Sequence, residues 1–409
     1  MASLPRSRWP AMKGIGVRIG SGIRFAVLAV AGLLMVAGCA NSAVTSSTSG
    51  GGAGGPIVLG SHVPLTGPLA AGGKQLNAGA DAYFKYVNDN GGVNGRQIKY
   101  IALNDDYDPQ KAVAGVRQLV ERDQAVGIVS SLGTSTGLAV LPYLTSKKIP
   151  YVAPLSGDPR LLGKDPSQPV YGVAPTGIAM GGSLGDYAVQ QMGAKRVAAF
   201  YQNDAYGTDG RDGFRQRATA AGAEYVADAP YELSSTDYSA QIRALRDAKP
   251  DVVALYALPS TAGNFLKQAK QQGWTDVKFV ADNPMTDPIM TGLAGDALDG
   301  LVCNFFTAVN GDINDAVRQK EGILRKYYPD VAGGYYSFQG MAGAMLAVEA
   351  LKKIKGDVTP ETFAKALDGV SLNPDVTAPI SYSPGTHTGV DKFGFAQWEG
   401  GRIKVLSTY

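Results

Sequence analysis

The sequence predicts an α/β protein with two doubly wound parallel-sheet lobes and a ligand cleft between them. Two observations lead to this prediction. Short apolar runs alternate with stretches of helical periodicity between residues 57 and 153, as in βαβ units. After a loop rich in glycine and proline, the same alternation restarts at residue 196. The C-terminal part departs from this rhythm, so we expect it to pack back onto both lobes.

The first run of the pattern contains four predicted strands and three predicted helices. Leu76, Ala80, Phe84 and Val87 recur at helical spacing and give the first helix one apolar face. Proline in the first turn opens the second helix. The predicted strands are Ile57–Val63, 97–103, 125–130 and 151–153, and the predicted helices are 75–88, 109–122 and 135–147.

The second run predicts a second parallel sheet, followed by a helical region. The predicted strands are 196–201, 225–231, 251–256 and Lys278–Ala281, and the helices between them are 207–221, 238–248 and 262–272. Further helices are predicted at 312–328, 337–353 and 359–368, with short strands after them. Because ligands bind at the carboxyl ends of strands in open α/β sheets, two facing sheets should line a shared cleft.

The composition excludes several classes of protein. The chain has 409 residues, of which 45% are hydrophobic and 18% charged, so it is too apolar to be disordered. Its two cysteines and two histidines exclude a disulfide scaffold and a Cys-rich zinc site. We therefore expect no metal, and the function inferred below needs no cofactor.

The net charge of +3 comes from the N-terminal segment. Five of the 38 basic residues lie in residues 1–38, which contain no acidic residue. The rest of the chain has 33 basic and 35 acidic residues and a charge near −2, which gives no electrostatic footprint for nucleic acid.

An export signal is predicted at the N-terminus, where basic residues precede an apolar run from Phe25 to Val36. The run is too short to span a bilayer comfortably. Residues 34–39 (LMVAGC) resemble a bacterial lipobox, which implies a lipoprotein signal peptide at 1–38 and a lipidated Cys39. A plain signal peptide with an incidental cysteine is the alternative. Residues 39–55, rich in serine and glycine, then predict a flexible tether to the outer side of the bacterial cell membrane.

Four motifs occur in a fixed order along the body of the chain: PLTGP at 64–68, NDNGGVNG at 88–95, DDYDP at 105–109 and NDAYG at 203–207. Together they resemble solute-binding proteins of branched-chain amino-acid ABC importers, the leucine/isoleucine/valine-binding family with the type I periplasmic-binding fold. The resemblance extends from about residue 57 to the end.

The resemblance implies two lobes, joined by three crossover strands, that close on a small ligand, with the crossings near Ala174, Phe305 and Pro379. The N-terminal lobe would comprise residues 56–174 and 305–378, and the C-terminal lobe residues 175–304 and 379–409. It also implies capture of a solute for ABC permease subunits, without catalysis, by a chain that we expect to be monomeric.

The family's ligand contacts fall on loops that follow predicted strands. At a strand-to-helix transition, free backbone N–H groups and a hydroxyl suit a carboxylate, and Thr134 falls where the family uses that hydroxyl. A helix cap is the alternative role for Thr134 and Ser135. The implied contacts are Leu132, Gly133, Thr134, Ser135, Leu155, Ser156 and Gly157 in the first lobe, and Tyr206, Leu258 and Asn283 in the second.

Two positions depart from the family pattern. The family's acidic partner for the ligand ammonium falls at Asn283, beside Asp282, and its first-loop aromatic falls at Gly72. Asn283 supplies no charge, so a zwitterion would lose a charge-assisted hydrogen bond unless Asp282 compensates. Asn283 is alternatively a turn residue before Pro284. An amino acid is the favoured ligand, and an amide or an aromatic or aliphatic carboxylate is the alternative.

Two other functions compete with solute binding. Residues 133–137 (GTSTG) match the G-x-S-x-G pattern of hydrolases, with His387 downstream of Ser135. However, the pattern is common by chance, and His387 lies in a segment that resembles a surface loop. A ligand-sensing partner of a receptor is the other alternative, since receptors reuse this fold.

Three further features receive structural interpretations. His62, at a strand end, is expected to be a core histidine with satisfied ring nitrogens. Asp105, Asp106 and Asp108 are expected to form a solvated loop that caps the next helix, in preference to a metal site. Cys303 lies in an apolar stretch and is expected to be a buried small hydrophobe.

Overall fold

The computed structural model describes residues 54–165, 167–309, 314–383, 385, 387, 389–390 and 392–408. Cys39, the predicted signal peptide and most of the predicted tether lie outside these residues. Among the described helices, none combines the length and the apolar character needed to cross a membrane.

The first run of the pattern, together with a strand at Val170–Tyr171 that was not predicted, folds into a five-stranded parallel sheet with the strand order β2-β1-β3-β4-β5. Most residues of β1 and all residues of β3, β4 and β5 are buried, as expected for a sheet covered on both faces. The strands are β1 (Ile57–Val63), β2 (Ile98–Asn104), β3 (Ile128–Val129), β4 (Tyr151–Val152) and β5 (Val170–Tyr171), and the helices are α1 (Ala70–Asp89), α2 (Pro109–Arg117) and α3 (Thr134–Lys147).

The second run also alternates strand and helix. Its strands are β6 (Arg196–Gln202), β7 (Glu224–Tyr231), β8 (Val252–Tyr256), β9 (Lys278–Ala281) and β10 (Val302–Phe305), and its helices are α4 (Gly177–Gln190), α5 (Ala205–Ala220), α6 (Ser239–Asp247), α7 (Pro259–Gln271) and α8 (Ile289–Ala294). Helix α4 begins at the Thr176 cap and packs against α5.

The remaining elements are α9 (Asp315–Tyr327), α10 (Tyr335–Lys352), α11 (Pro360–Leu367), β11 (Ser371–Leu372), β12 (Ile380–Ser381), β13 (Gly394–Glu399) and β14 (Arg402–Ser407). The last two strands join the second run in a seven-stranded sheet with the order β14-β13-β10-β9-β8-β6-β7. Strand β13 pairs antiparallel with β10 and β14, whereas the pairs among β6 to β10 are parallel. The predicted fold class, α/β with two parallel sheets, is confirmed.

Helices α1 and α10 approach each other so closely that two glycines are required. A Cβ atom at Gly79 would lie 1.8 Å from the carbonyl oxygen of Ser337. One at Gly340 would lie 1.9 Å from the carbonyl oxygen of Leu76. This contact positions the first turn of α10, which forms part of the site described below.

The segment before β13 packs against the five-stranded sheet before the chain joins the seven-stranded sheet. Ile380 packs in the core of the five-stranded sheet, and the N–H of Val390 still donates to the carbonyl of Val173 at 3.1 Å. Pairing with β10 begins at Gly394. The crossing near Pro379, which the resemblance implies, stays a prediction. The lobe boundaries as such stay a prediction.

The aspartates after β2 have three different roles. Asp105 is buried, and its Oδ2 lies 2.8 Å from Nδ1 of His62, so it is not part of a solvated loop. Asp106 pairs with Lys111, and Oδ1 of Asp108 caps α2 by accepting from the backbone of Gln110 at 2.7 Å. Within the described ranges, no group of three or more His, Cys, Asp or Glu residues is arranged to hold a metal ion.

Candidate ligand-binding cavity

A cavity lies where the carboxyl ends of the two sheets face each other. It encloses about 530 Å³ of space free of protein atoms, part of which is continuous with solvent. The residues that line it are Leu69, Tyr107, Leu132, Gly133, Thr134, Leu155, Ser156, Gly157, Ala174, Met180, Tyr206, Leu258, Pro259, Asp282, Pro284, Tyr335 and Tyr336. This wall is mainly apolar and aromatic, with a few polar groups, as in most small-molecule sites.

The N-terminus of α3 forms one polar part of the wall. No described side chain caps this helix end. Its first N–H groups have no acceptor within the helix, which makes the end favourable for an anion. The hydroxyls of Thr134 and Ser156 lie 2.9 Å apart beside it, and both residues are buried. This part of the wall is therefore suited to a carboxylate.

The loop after β4 holds its backbone against the loop after β3. The N–H of Leu155 donates to the carbonyl of Ser131 at 2.8 Å. Gly157 follows, and its carbonyl accepts from the N–H of Gly177 at 2.7 Å. A Cβ atom at Gly157 would lie 2.6 Å from that same nitrogen, so only glycine fits where the chain passes the start of α4.

The opposite polar part of the wall is the carboxylate of Asp282, which directly follows β9. Its Oδ2 accepts a hydrogen bond from the hydroxyl of Tyr206 at 2.8 Å. Its Oδ1 is buried and has no hydrogen-bond partner among the described residues. Burial raises the pKa of Asp282 to about 7. The described residues that line the cavity include no Lys, Arg or His to neutralise this carboxylate.

Tyrosines from the start of α10 form an aromatic part of the wall. The rings of Tyr335 and Tyr336 lie with centroids 4.9 Å apart. The backbone N–H of Tyr336 donates to Oδ2 of Asp287 at 3.2 Å, and burial raises the pKa of Asp287 to about 6. A Cβ atom at Gly72 would lie 2.7 Å from Cζ of Tyr336. Gly72 therefore leaves room for an aromatic ring that comes from α10.

Eight of the sequence-predicted site residues lie on the cavity wall: Leu132, Gly133, Thr134, Leu155, Ser156, Gly157, Tyr206 and Leu258. Their role as ligand contacts stays a prediction. Tyr335, Tyr336, Tyr107, Leu69 and Met180 were missed. The tyrosine pair after Gly333 and Gly334, at the start of an apolar helix, is the signal in the sequence that could have identified α10.

Ser135 and Asn283 do not line the cavity. The hydroxyl of Ser135 donates to Oδ2 of Asp204 at 3.2 Å. The side chain of Asn283 is buried, with its Nδ2 donating to Oγ1 of Thr286 at 3.0 Å and its Oδ1 accepting from the N–H of Phe306 at 3.2 Å. Asn283 thus holds the turn after β9, and the acidic group on the wall is its neighbour Asp282.

The two histidines lie outside the cavity wall. His62 is buried, with its Nδ1 2.8 Å from Oδ2 of Asp105 and its Nε2 2.8 Å from the hydroxyl of Tyr151, so it has a structural role. His387 stacks on Tyr171 with ring centroids 4.4 Å apart, and its Nε2 lies 3.1 Å from Oδ1 of Asp368. With Ser135 bonded to Asp204, the Ser–His pair of a hydrolase is not formed.

Comparison with known proteins gives a family. A family model described as periplasmic binding protein matches residues 56–402. Among curated relatives, an amino acid binding protein of Pseudomonas aeruginosa is 28% identical over 251 residues, which is 58% of this chain and 64% of the relative. The aligned part of this chain therefore spans less than two thirds of that relative.

Solved structures show the same fold. A branched chain amino acid ABC transporter protein from Thermus thermophilus with bound valine has a TM-score of 0.79 and 21% identity, covering 86% of this chain and 96% of that one. A solute binding protein of an ABC transporter from R. palustris in complex with benzoate has a TM-score of 0.77 and 21% identity, with the same coverage of both chains.

Proposed function

The chain belongs to the periplasmic binding protein family, and from this premise we propose that it captures an α-amino acid with an apolar side chain for an ABC importer. In this proposal the protein is a lipoprotein anchored through Cys39 to the outer side of the bacterial cell membrane. It delivers its ligand to the permease subunits of the importer and catalyses no reaction.

The observation that carries the proposal is the unpartnered Oδ1 of Asp282 in a cavity whose described wall offers no basic side chain. A buried carboxylate is costly unless it is paired with a positive charge. The ammonium group of an α-amino acid supplies that charge and completes the hydrogen bonds of Asp282. The ligand carboxylate then binds at the N-terminus of α3, beside the hydroxyls of Thr134 and Ser156.

The apolar part of the wall is suited to the ligand side chain. This part of the wall includes Leu69 before α1, Leu132 after β3 and Met180 in α4. It also includes Tyr335 and Tyr336 at the start of α10. Burying an apolar side chain there removes its surface from water, at about 25 cal/mol per Å². A charged or strongly polar side chain would lose its hydration without a matching partner.

Binding proceeds by closure of two lobes in this proposal. The ligand first meets the N-terminus of α3 on the five-stranded sheet. The second lobe then adds Tyr206, Leu258 and Asp282, which contact the ligand only when the cavity is closed. This differential contact drives closure, as in other hinged binding proteins.

The second candidate is an acid without an amino group, such as the benzoate bound by the R. palustris protein. The raised pKa of Asp282 favours this candidate, because a protonated carboxyl does not require an ammonium partner. The tyrosines of the wall would then stack on an aromatic ligand.

A thermal-shift screen tests the two candidates against each other. The matched ligands are L-leucine, leucinamide and 4-methylpentanoate, which differ only at the amino or carboxyl group, together with L-valine and benzoate. We expect L-leucine or L-valine at 100 times its dissociation constant to stabilise the protein by about 2.7 kcal/mol. Stabilisation by 4-methylpentanoate or benzoate, and by neither amino acid, would overturn the amino-acid proposal.

The anchor and the importer are tested separately in cells. Mass spectrometry of the protein extracted from membranes should find lipid on Cys39, and Cys39→Ser should release the protein from the membrane fraction. Deletion of the gene should reduce uptake of the radiolabelled ligand. Unlipidated protein, or unchanged uptake, would contradict the corresponding part of the proposal.

A further inference from the structure

One carboxylate joins the two sides of the cavity. Oδ2 of Asp204, which follows β6 of the seven-stranded sheet, accepts hydrogen bonds from the hydroxyl of Tyr107 at 3.1 Å and from the hydroxyl of Ser135 at 3.2 Å. Tyr107 follows β2, and Ser135 lies in the first turn of α3, so both donors lie on the side of the cavity formed by the five-stranded sheet. Nε2 of Gln202 donates to the same oxygen at 2.6 Å.

The second oxygen of Asp204 is already in use on its own side. Oδ1 accepts from the N–H of Gly207 at 3.2 Å and so caps α5. The cap orients the carboxylate, and Oδ2 receives donors from both sides: Gln202 on its own side, and Tyr107 and Ser135 on the other. Oδ2 of Asp204 is therefore the atom at which the two sides of the cavity are joined.

Tyr107 is held in place for this contact. Its φ of +62° lies in the left-handed region, which a tyrosine rarely adopts. The backbone N–H of Tyr107 donates to Oδ1 of Asp105 at 2.9 Å, and the other oxygen of Asp105 is held by His62. Burial, followed by the nearby Asp204 carboxylate, raises the pKa of Tyr107, so that its hydroxyl stays protonated as a donor.

We infer that Asp204 is a positioning residue that latches the closed cavity and sets how long a ligand stays, without choosing among ligands. The inference rests on the proposed function, because it assigns a role in ligand retention. Hydrogen bonds to an ionised acceptor are about twice as strong as neutral ones. The two across the cavity exist only while its sides are together, so they favour the closed form whatever ligand lies inside.

Three variants remove the latch in different ways. Tyr107→Phe and Ser135→Ala each delete one donor and leave the cap on α5 intact. Asp204→Asn keeps a side chain that caps helices well but turns the shared acceptor into an amide. Tyr225→Phe is the matched control, because the hydroxyl of Tyr225 donates to Asp228 within the same strand, β7.

Stopped-flow measurement of dissociation, with L-leucine and L-valine as probes, gives the main test. We expect dissociation to be about tenfold faster in Tyr107→Phe and Ser135→Ala, by the same factor for both amino acids, with association nearly unchanged. Tyr107→Phe should add little further effect in the Asp204→Asn background. Unchanged dissociation rates, or factors that differ between the two probes, would overturn the latch.

A ligand-free measurement separates failure of the latch from failure of the proposed function. If neither amino acid binds, the proposed function fails, and small-angle X-ray scattering of the unliganded protein still tests the latch. We expect a larger radius of gyration for Asp204→Asn than for the unmodified protein and for Tyr225→Phe. Equal radii for all three proteins would overturn the inference.

Discussion

The hydroxyl of Tyr206 donates a hydrogen bond to Oδ2 of Asp282 at 2.8 Å, and the other oxygen of that carboxylate is buried without a partner among the described residues. Tyr206 belongs to α5 and Asp282 follows β9, so two elements of the seven-stranded sheet orient one acceptor. We expect an oriented acceptor with one unpaired oxygen to favour a ligand that can donate a hydrogen bond to it.

Replacing this acid should discriminate between ligands. We expect Asp282→Asn to weaken binding of L-leucine by about 1.5–3 kcal/mol, since a charge-assisted hydrogen bond to the ammonium is lost. Binding of 4-methylpentanoate should not weaken, because it has no ammonium group. Calorimetry with both ligands measures the difference, and Asp276→Asn, at an exposed position, is the control. Equal losses for both ligands would count against an ammonium site at Asp282.

Affinity for an amino acid should depend on pH around neutrality. Burial raises the pKa of Asp282 to about 7, and only its ionised form pairs with an ammonium. As the pH falls below 7, a growing fraction of the unliganded protein must release a proton before it binds. We expect the dissociation constant for L-leucine to rise by up to about tenfold per pH unit between pH 7 and pH 5. Asp282→Asn, which has no ionisable group at this position, should lack this dependence. A flat profile in the unmodified protein would show that this carboxyl does not titrate in the site.

The same carboxyl should lower the stability of the unliganded protein at high pH. Its folded pKa lies above the ordinary value of 3.8, so the folded protein keeps a proton that the unfolded chain releases. The free energy of unfolding therefore falls as the pH rises from about 4 to about 7. We expect Asp282→Asn to stabilise the unliganded protein more at pH 8 than at pH 4.5, measured by urea unfolding. A larger gain at pH 4.5 would contradict the assigned direction.

Much of the fold could be predicted because each βαβ unit leaves a local pattern. The apolar run Lys278–Ala281 was predicted as a strand and is β9 with the same limits. Such patterns show where a strand lies, but not which sheet receives it. Ile380 and Tyr382 are as apolar as strand residues of either sheet, and only the assembled core places them against the first one.

Part of the cavity wall could be predicted, because it is formed by loops that directly follow strands in the sequence. Thr134 and Ser156 lie directly after strands, at the edge where ligands bind in α/β sheets. The position of Tyr336 on the cavity wall could not be predicted in this way, because α10 is distant along the chain from the loops that it faces. The family's acidic position falls at Asn283, whereas the carboxylate that lines the cavity belongs to Asp282. The turn after β9 directs residue 283 into the core and leaves residue 282 on the wall.

Gly72 should be required for the shape of the cavity. In Gly72→Ala the added methyl group would lie 2.7 Å from Cζ of Tyr336, so the ring must shift. Overpacking of this kind costs about 1–3 kcal/mol, and the displaced ring forms part of the ligand wall. We expect weaker binding of L-leucine by calorimetry. Gly292→Ala, where the methyl group would meet no described atom within 4 Å, is the control. Binding that is equally strong in both variants would show that the ring of Tyr336 does not shape the site.

Thr134 should contribute to binding through its hydroxyl alone. Its Oγ1 lies 2.9 Å from that of Ser156 beside the uncapped N-terminus of α3, where we place the ligand carboxylate. Thr134→Val keeps the shape and removes the donor, so affinity for L-leucine should fall by about 1–3 kcal/mol. Leucinamide, which has no carboxylate, should be less affected by the change. Thr219→Val, at an exposed position of α5, is the control for the substitution itself. If calorimetry gives the same affinity for Thr134→Val and the unmodified protein, this hydroxyl does not contact the ligand.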